Sequence, residues 1–171
     1  GYLFPDTYLF PRFLDERAIV AAFLARFDAV VVPLWRAEGG GRRLHEIVTI
    51  ASMIEREARL PQEQALIAGV LYNRLRRGWK LEVDATVLYA LGRHKSVVTY
   101  ADLAVDSPYN TYRYAGLPPG PIANPGLGAI RAALHPAATD YLFYVARQDG
   151  SHVFSRTLAE HNAAVRRYRR P

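Results

Sequence analysis

Ile47-Val48-Thr49-Ile50-Ala51-Ser52-Met53-Ile54-Glu55-Arg56-Glu57-Ala58 is the stretch on which the reading of this chain turns. It has the spacing of an amphipathic helix. At about 100° per residue, Ile47, Ala51, Ile54 and Ala58 fall on one face and predict the core side. The two glutamates lie on opposite flanks of that face. Glu55 has Arg59 four residues on, the spacing of an i,i+4 ion pair that would keep it charged and exposed. Glu57 has Met53 four residues before it and Ile50 beside it. Apolar neighbours disfavour an ionised carboxyl and raise its pKa, as a general acid needs near neutral pH. Paired Glu and Arg on a helix most often mark a solvated face, so the pattern gains weight only from the rest of the chain.

Upstream, Gly1 to Phe13 is aromatic, holds Pro5 and Pro11, and reads as extended. Asp15 is placed to N-cap a helix over about 16–37, which the glycines 39–41 stop. Downstream, Pro61 can open a helix whose stripe is Leu66, Ile67, Val70, Leu71 and Leu75, ended by Gly78. Asp84 has the position of an N-cap for a short helix over 85–91, closed by Gly92. Thr99 and Asp102 form a capping-box pattern. Asn124-Pro125 reads as a cap and first-turn proline for a helix over 126–134. Residues 141–146 have strand composition, 148–151 are a turn and 152–155 return, which predicts a β-hairpin. Thr157 and Glu160 form a capping box for the last helix. These signals predict a single α+β domain over 1–171, mostly helical, with a small sheet near 141–155.

The chain has 171 residues, half of them apolar, and no cysteine. Thiol catalysis, disulfides and cysteine metal sites are thereby excluded. The histidines, at 45, 94, 135, 152 and 161, do not make the paired spacing of a helix zinc site. No Gly-x-Ser-x-Gly elbow, phosphate loop or dinucleotide fingerprint is present. No metal and no cofactor are expected, and a carboxylate is left as the main catalytic option. The net charge is +6, part of it from Arg166, Arg167, Arg169 and Arg170 at the end. No basic stripe with interleaved aromatics accompanies them, so nucleic acid is not the expected partner. No stretch approaches the roughly 18 apolar residues of a membrane span. The chain opens at Gly1 in mid-pattern, as an excised or processed piece would.

The segment from Ser107 to Gly126 is the most unusual. Tyr109-Asn110-Thr111-Tyr112 precedes the rigid run Leu117-Pro118-Pro119-Gly120-Pro121-Ile122-Ala123-Asn124-Pro125-Gly126. Proline stiffens such a loop. Tyrosines offer flat surfaces to sugar rings, and Asn and Thr can bond acetamido or hydroxyl groups. A surface loop packed over the core is the competing reading.

Several blocks, in order, resemble the YceG-like (MltG) endolytic murein transglycosylases. They are Gly1-Tyr2-Leu3-Phe4-Pro5-Asp6-Thr7-Tyr8, Ala51-Ser52-Met53-Ile54-Glu55-Arg56-Glu57, Val70-Leu71-Tyr72-Asn73-Arg74-Leu75 and Val83-Asp84-Ala85-Thr86-Val87-Leu88-Tyr89-Ala90. Ser107-Pro108-Tyr109-Asn110-Thr111-Tyr112, the proline-rich run, Ala132-Ala133-Leu134-His135-Pro136 and Gly150-Ser151-His152-Val153-Phe154-Ser155 with Glu160-His161-Asn162 continue the match. The resemblance implies a lysozyme-like or Slt-like catalytic domain, lacking the N-terminal membrane helix and LysM-like domain of the family. It implies cleavage within peptidoglycan strands to 1,6-anhydro ends, with Glu57 as catalytic acid. It further implies a protein anchored in the inner membrane of the bacterial envelope, with this domain outside it, near cell-wall synthases. The expected glycan-binding set is Asn73, Tyr109, Asn110, Thr111, Tyr112 and Pro118. Asn110 is expected on an exposed loop, where its loss impairs cleavage and not stability. A hydrolytic muramidase, with Asp84 or Asp106 as second acid, and a silent glycan-binding module are the alternatives. His135 and His152 are expected to be structural.

Overall fold

The computed structural model describes residues 1–93, 95 and 97–168. His94, Arg169 and Arg170 therefore lie outside the described residues. The order is α1 (Glu16–Glu38), α2 (Leu44–Glu57), α3 (Gln64–Arg76), α4 (Asp84–Leu91), α5 (Leu127–Leu134), β1 (Phe143–Ala146), β2 (His152–Ser155) and α6 (Leu158–Tyr168). The helices enclose α2. The two strands pair antiparallel, with Phe143 opposite Ser155 and Ala146 opposite His152. This is the α+β domain that the sequence predicts.

α2 is more deeply embedded than one apolar stripe implies. All eight residues from Ile47 to Ile54 are buried, polar Thr49 and Ser52 among them. A buried hydroxyl needs a partner. Thr49 donates to the His45 carbonyl at 2.7 Å and Ser52 to the Thr49 carbonyl at 2.7 Å. The Ser52 oxygen also accepts the Ile122 amide at 2.9 Å, so the proline-rich run is fastened across α2. His45 holds the same run through the Pro119 carbonyl at 2.9 Å. α3 and α5 close the other sides of α2. Gly69 lies in the middle of α3, where the Ala137 carbonyl would stand 2.6 Å from any Cβ, and a larger residue is shut out.

Local signals hold at several ends. The Asp15 carboxylate accepts the Ala18 amide at 2.7 Å. Asp102 and Thr99 bond reciprocally, as do Glu160 and Thr157. Three expectations change. Glu55 does not pair with Arg59 among the described residues; its carboxylate accepts the Gly126 amide at 3.1 Å, at the start of α5. α5 begins after Gly126, and Asn124 accepts the Leu3 amide instead of capping. Asp84 lies inside the first turn of α4, whose N-cap is Val83, and the Thr111 hydroxyl accepts the Val83 amide at 3.0 Å.

α1 also departs from expectation. Over an 18-residue window it averages a hydropathy of 1.8, long and apolar enough to cross a membrane by length and composition. Arg26 and Asp28 interrupt the run, which hid it from a search for unbroken apolar residues. Phe27 and Val31 of the same helix are buried in the core, and Arg26 donates to Asp6 at 2.6 Å.

Asn110 is fully buried. Its amide donates to the Leu103 and Val105 carbonyls, and its oxygen accepts the Tyr112 amide. Asn110→Ala strands those backbone groups in the interior. It should cost about 3 kcal/mol, and lower the melting temperature by about 6–12 °C. Thermal unfolding of the variant tests this, and an unchanged melting temperature refutes it.

Candidate active site

The last turn of α2 carries Glu57 into a cavity of about 200 Å³. Its walls come from α3 (Arg74), the segment Leu81–Glu82, the start of α4 (Asp84), Tyr112, β1 (Tyr144, Val145) and α6 (His161). The helical register does the placing. The buried run of α2 ends at Ile54, Glu55 and Arg56 are exposed, and the side chain of Glu57 turns back to the cavity. β1 does the complementary placing: Phe143 and Val145 are buried on one face, with Phe143 stacked on His161 of α6, and Tyr144 is on the other face, against the core and Glu57.

The Tyr144 hydroxyl donates to Glu57 Oε2 at 3.0 Å. The Ala85 amide at the start of α4 is a second donor to the same carboxyl. Both favour the carboxylate, as does the nearby His152. Burial opposes them and is the largest effect, and the Asp84 charge acts with it. The result is a Glu57 pKa above the ordinary carboxyl value. Burial, the Glu57 charge and the hydrogen bond to it push the Tyr144 phenol well above its usual range. It therefore stays a donor. Such a carboxyl can hold a proton above the ordinary carboxyl range, release it to a bound acceptor, and be held as carboxylate by two donors already in place.

The second carboxyl of the cavity is arranged differently. Asp84 accepts the Tyr112 hydroxyl at 2.5 Å. Tyr112 is raised by burial and by that carboxylate, so it too remains protonated. Arg74 is buried and braces the wall. It donates to the Leu142 carbonyl at 2.6 Å, the Lys80 and Leu81 carbonyls at 3.1 Å, and Glu82 at 2.8 Å. Glu82 adopts φ 55°, the only described non-glycine residue in the left-handed region. Such strain concentrates at functional sites, where the surroundings over-determine it. Behind Tyr144, His152 packs edge-on at 5.5 Å and binds Glu63 at 2.7 Å.

The expected residues thus divide. Glu57 and Tyr112 meet in the cavity. Tyr109 lies to the other side of α4, its ring 4.8 Å from that of Tyr89. Asn110, Thr111, Asn73 and Pro118 are corrected: all four are buried. Thr111 is used by Val83 and Thr86. The Asn73 amide donates to the Thr139 and Tyr141 carbonyls, and its oxygen accepts from Arg76. These groups hold the cleft together from inside. Asp84 reaches the cavity. Asp106 pairs at the surface with Tyr114 and Arg113. His135 binds exposed Glu38 away from the site. Sequence reasoning missed Arg74, Glu82, Tyr144 and His161. Only Tyr144 carried a signal, as the residue whose strand parity opposes Phe143 and Val145.

A carboxyl whose pKa burial raises, at the end of a buried helix and in a tyrosine-lined cleft, is an arrangement suited to acid–base chemistry. The chain belongs to the YceG-like family, whose sequence profile matches residues 1–167. It is 45% identical over 173 residues to the endolytic murein transglycosylase of Bacillus subtilis, covering 98% of this chain and 47% of that protein. It is 36% identical to the endolytic murein transglycosylase of Streptococcus pneumoniae strain D39, covering 85% of this chain and 28% of that protein. A crystal structure of a YceG-like protein from Listeria monocytogenes superposes with TM-score 0.90 at 44% identity, over 96% of this chain and 54% of that one. The chain spans less than half the length of these curated relatives.

A raised carboxyl pKa has a consequence for stability. The folded state then binds more protons than the unfolded one above the ordinary value of 4.5. Stability from this group is present in acid and is lost as pH rises through the raised pKa. Glu57→Gln removes that loss. Its melting temperature should exceed the wild type at pH 8, and the difference should shrink towards pH 4. A variant less stable than the wild type at pH 8 contradicts the electrostatic account.

Proposed function

We propose that this domain is the catalytic part of an endolytic lytic transglycosylase. It cleaves the β-1,4 bond between N-acetylmuramic acid and N-acetylglucosamine within murein strands and leaves a 1,6-anhydro end. The observation that carries the reading is the Glu57 carboxyl, desolvated in the cleft and bonded by Tyr144 and Ala85. The family and its relatives' activity supply the substrate class.

In this reading protonated Glu57 gives its proton to the glycosidic oxygen, and the bond to the muramic anomeric carbon breaks. Tyr144 and the Ala85 amide hold the carboxylate that remains. That carboxylate takes the proton of the muramic 6-hydroxyl, whose oxygen bonds to the anomeric carbon. The proton returns to Glu57 and no water is consumed. One carboxyl serves both steps, and Asp84, held by Tyr112, acts by raising the pKa of Glu57. The substrate places the protein in the bacterial cell envelope, outside the cytoplasmic membrane, where nascent strands and their synthases meet.

Glu57→Gln should lower turnover on purified glycan strands by about 10²–10⁴-fold. Glu55→Gln should leave turnover near wild type, because Glu55 caps α5. Mass analysis of the products decides the reaction class. Anhydro ends, one water lighter than hydrolysis products, support the proposal, and reducing muramic ends support a muramidase.

Opposite shifts of the pH profile test the roles around Glu57. Turnover requires the protonated acid and falls as pH rises through its pKa. Asp84→Asn removes a charge that raises that pKa, so the fall should move to lower pH. Tyr144→Phe removes a donor that lowers it, so the fall should move to higher pH. Shifts in the same direction are incompatible with the assignment.

A further inference from the structure

On the opposite side of α4 from the Asp84–Tyr112 pair lies a second cavity, of about 330 Å³. Arg56 and Arg93 line it, together with Tyr89, Leu88, Ile122 and Ala123. Two links join it to the Glu57 site. Arg56 is the neighbour of Glu57 on α2. Ala85, which also lines the cavity, is the residue whose amide bonds the Glu57 carboxyl. The two cavities share no lining residue; they flank α4 and differ in chemistry. The first compartment holds the carboxyls Glu57, Glu82 and Asp84 with one arginine, and that arginine is tied to backbone carbonyls and Glu82. The second holds two exposed guanidinium groups, neither ion-paired among the described residues, and no carboxylate in its lining.

The other walls are built to stay in place. Ile122 is fastened to Ser52 through its amide, and His45 holds the Pro119 carbonyl three residues earlier. The Tyr89 ring leans on that of Tyr109 at 4.8 Å. An apolar and aromatic wall facing two unpaired arginines suits a chain with apolar stretches and carboxylates. Guanidinium groups bind carboxylates with paired, charge-assisted hydrogen bonds.

We infer that this second cavity binds the carboxylates of the peptide carried on the lactyl group of muramic acid, so that the domain reads the peptide as well as the glycan. The inference rests on the murein reading above. The sugar rings of such a strand are neutral, and the peptide on the muramic lactyl arm carries its carboxylates away from the glycan axis. In this inference the arm of the muramic residue held at Glu57 reaches past α4 to Arg56, the adjacent residue of α2.

The test uses the Glu57→Gln chain, which binds without cutting. Affinity is measured for short glycan oligomers whose peptides carry free carboxylates, and for the same oligomers with those carboxyls amidated. The carboxylate form should bind about tenfold more tightly. Adding Arg56→Gln and Arg93→Gln should bring it down to the level of the amidated form and leave the amidated form unchanged. The difference should also shrink as salt rises. Both arginines are exposed, and an unchanged melting temperature verifies the fold. Equal binding of the two oligomers, or an equal loss for both in the arginine variant, overturns the inference. Turnover by the unmodified chain is scored separately. Absence of anhydro products from either oligomer refutes the proposed reaction, while a carboxylate preference in binding would still stand.

Discussion

A helix buried along eight consecutive residues has nowhere to send its polar groups except into other parts of the protein, and this constraint on α2 organises the domain. Ser52 meets it by bonding the Ile122 amide, which draws the proline-rich run over the core. His45 at the near end of the helix reaches the same run. The remaining side is sealed by α5, and Glu55 accepts the amide of Gly126 just before that helix. By the time α2 reaches Glu57, each neighbour has been fixed by the turns before it. The carboxyl emerges into a cavity whose walls are already placed.

The charge environment of that carboxyl is a balance and not a single effect. Burial and Asp84 push towards the acid; Tyr144, the Ala85 amide and His152 push towards the carboxylate. A site with burial alone would hold a proton that it could not release cheaply. One with donors alone would hold no proton to give. The opposition suits a group that must change protonation state twice in one cycle. The two tyrosines of the site are themselves kept as donors by burial and by the carboxyls that they serve.

Much of the fold is legible in the chain because its signals are local. The cap at Asp15, the reciprocal bonds of Thr157 and Glu160, and the hairpin around 148–151 depend on residues within a few positions of one another. The flank position of Glu57 follows from helical period alone. The cleft lining was harder, because a side chain's hydrogen-bonding capacity is the same whether it serves a ligand or the backbone. Asn110 and Thr111 have the chemistry of sugar-binding groups, and the fold uses them to close the loop onto the start of α4. Arg74 looks like a surface residue on a helix, yet its acceptors lie as far as 68 positions away. Asp84 was displaced by one turn position from cap to cavity, and helix ends are the least certain feature of any sequence reading.

Arg74 also stiffens one side of the cleft. Its guanidinium grips Leu81, Glu82 and Leu142 together, so those pieces can shift only as a block. Across from it, the segment reaching Tyr100 is pinned at Asp102 by Thr99 and Lys95, and Tyr100 itself is almost wholly exposed. A domain that cuts in the interior of a polymer, as proposed above, has no free end to thread and must take its substrate in sideways. Lateral entry requires one lip to yield while the other keeps the reacting groups in register. In that proposal the lip that keeps register is the one braced by Arg74, so admitting a strand need not disturb the acid.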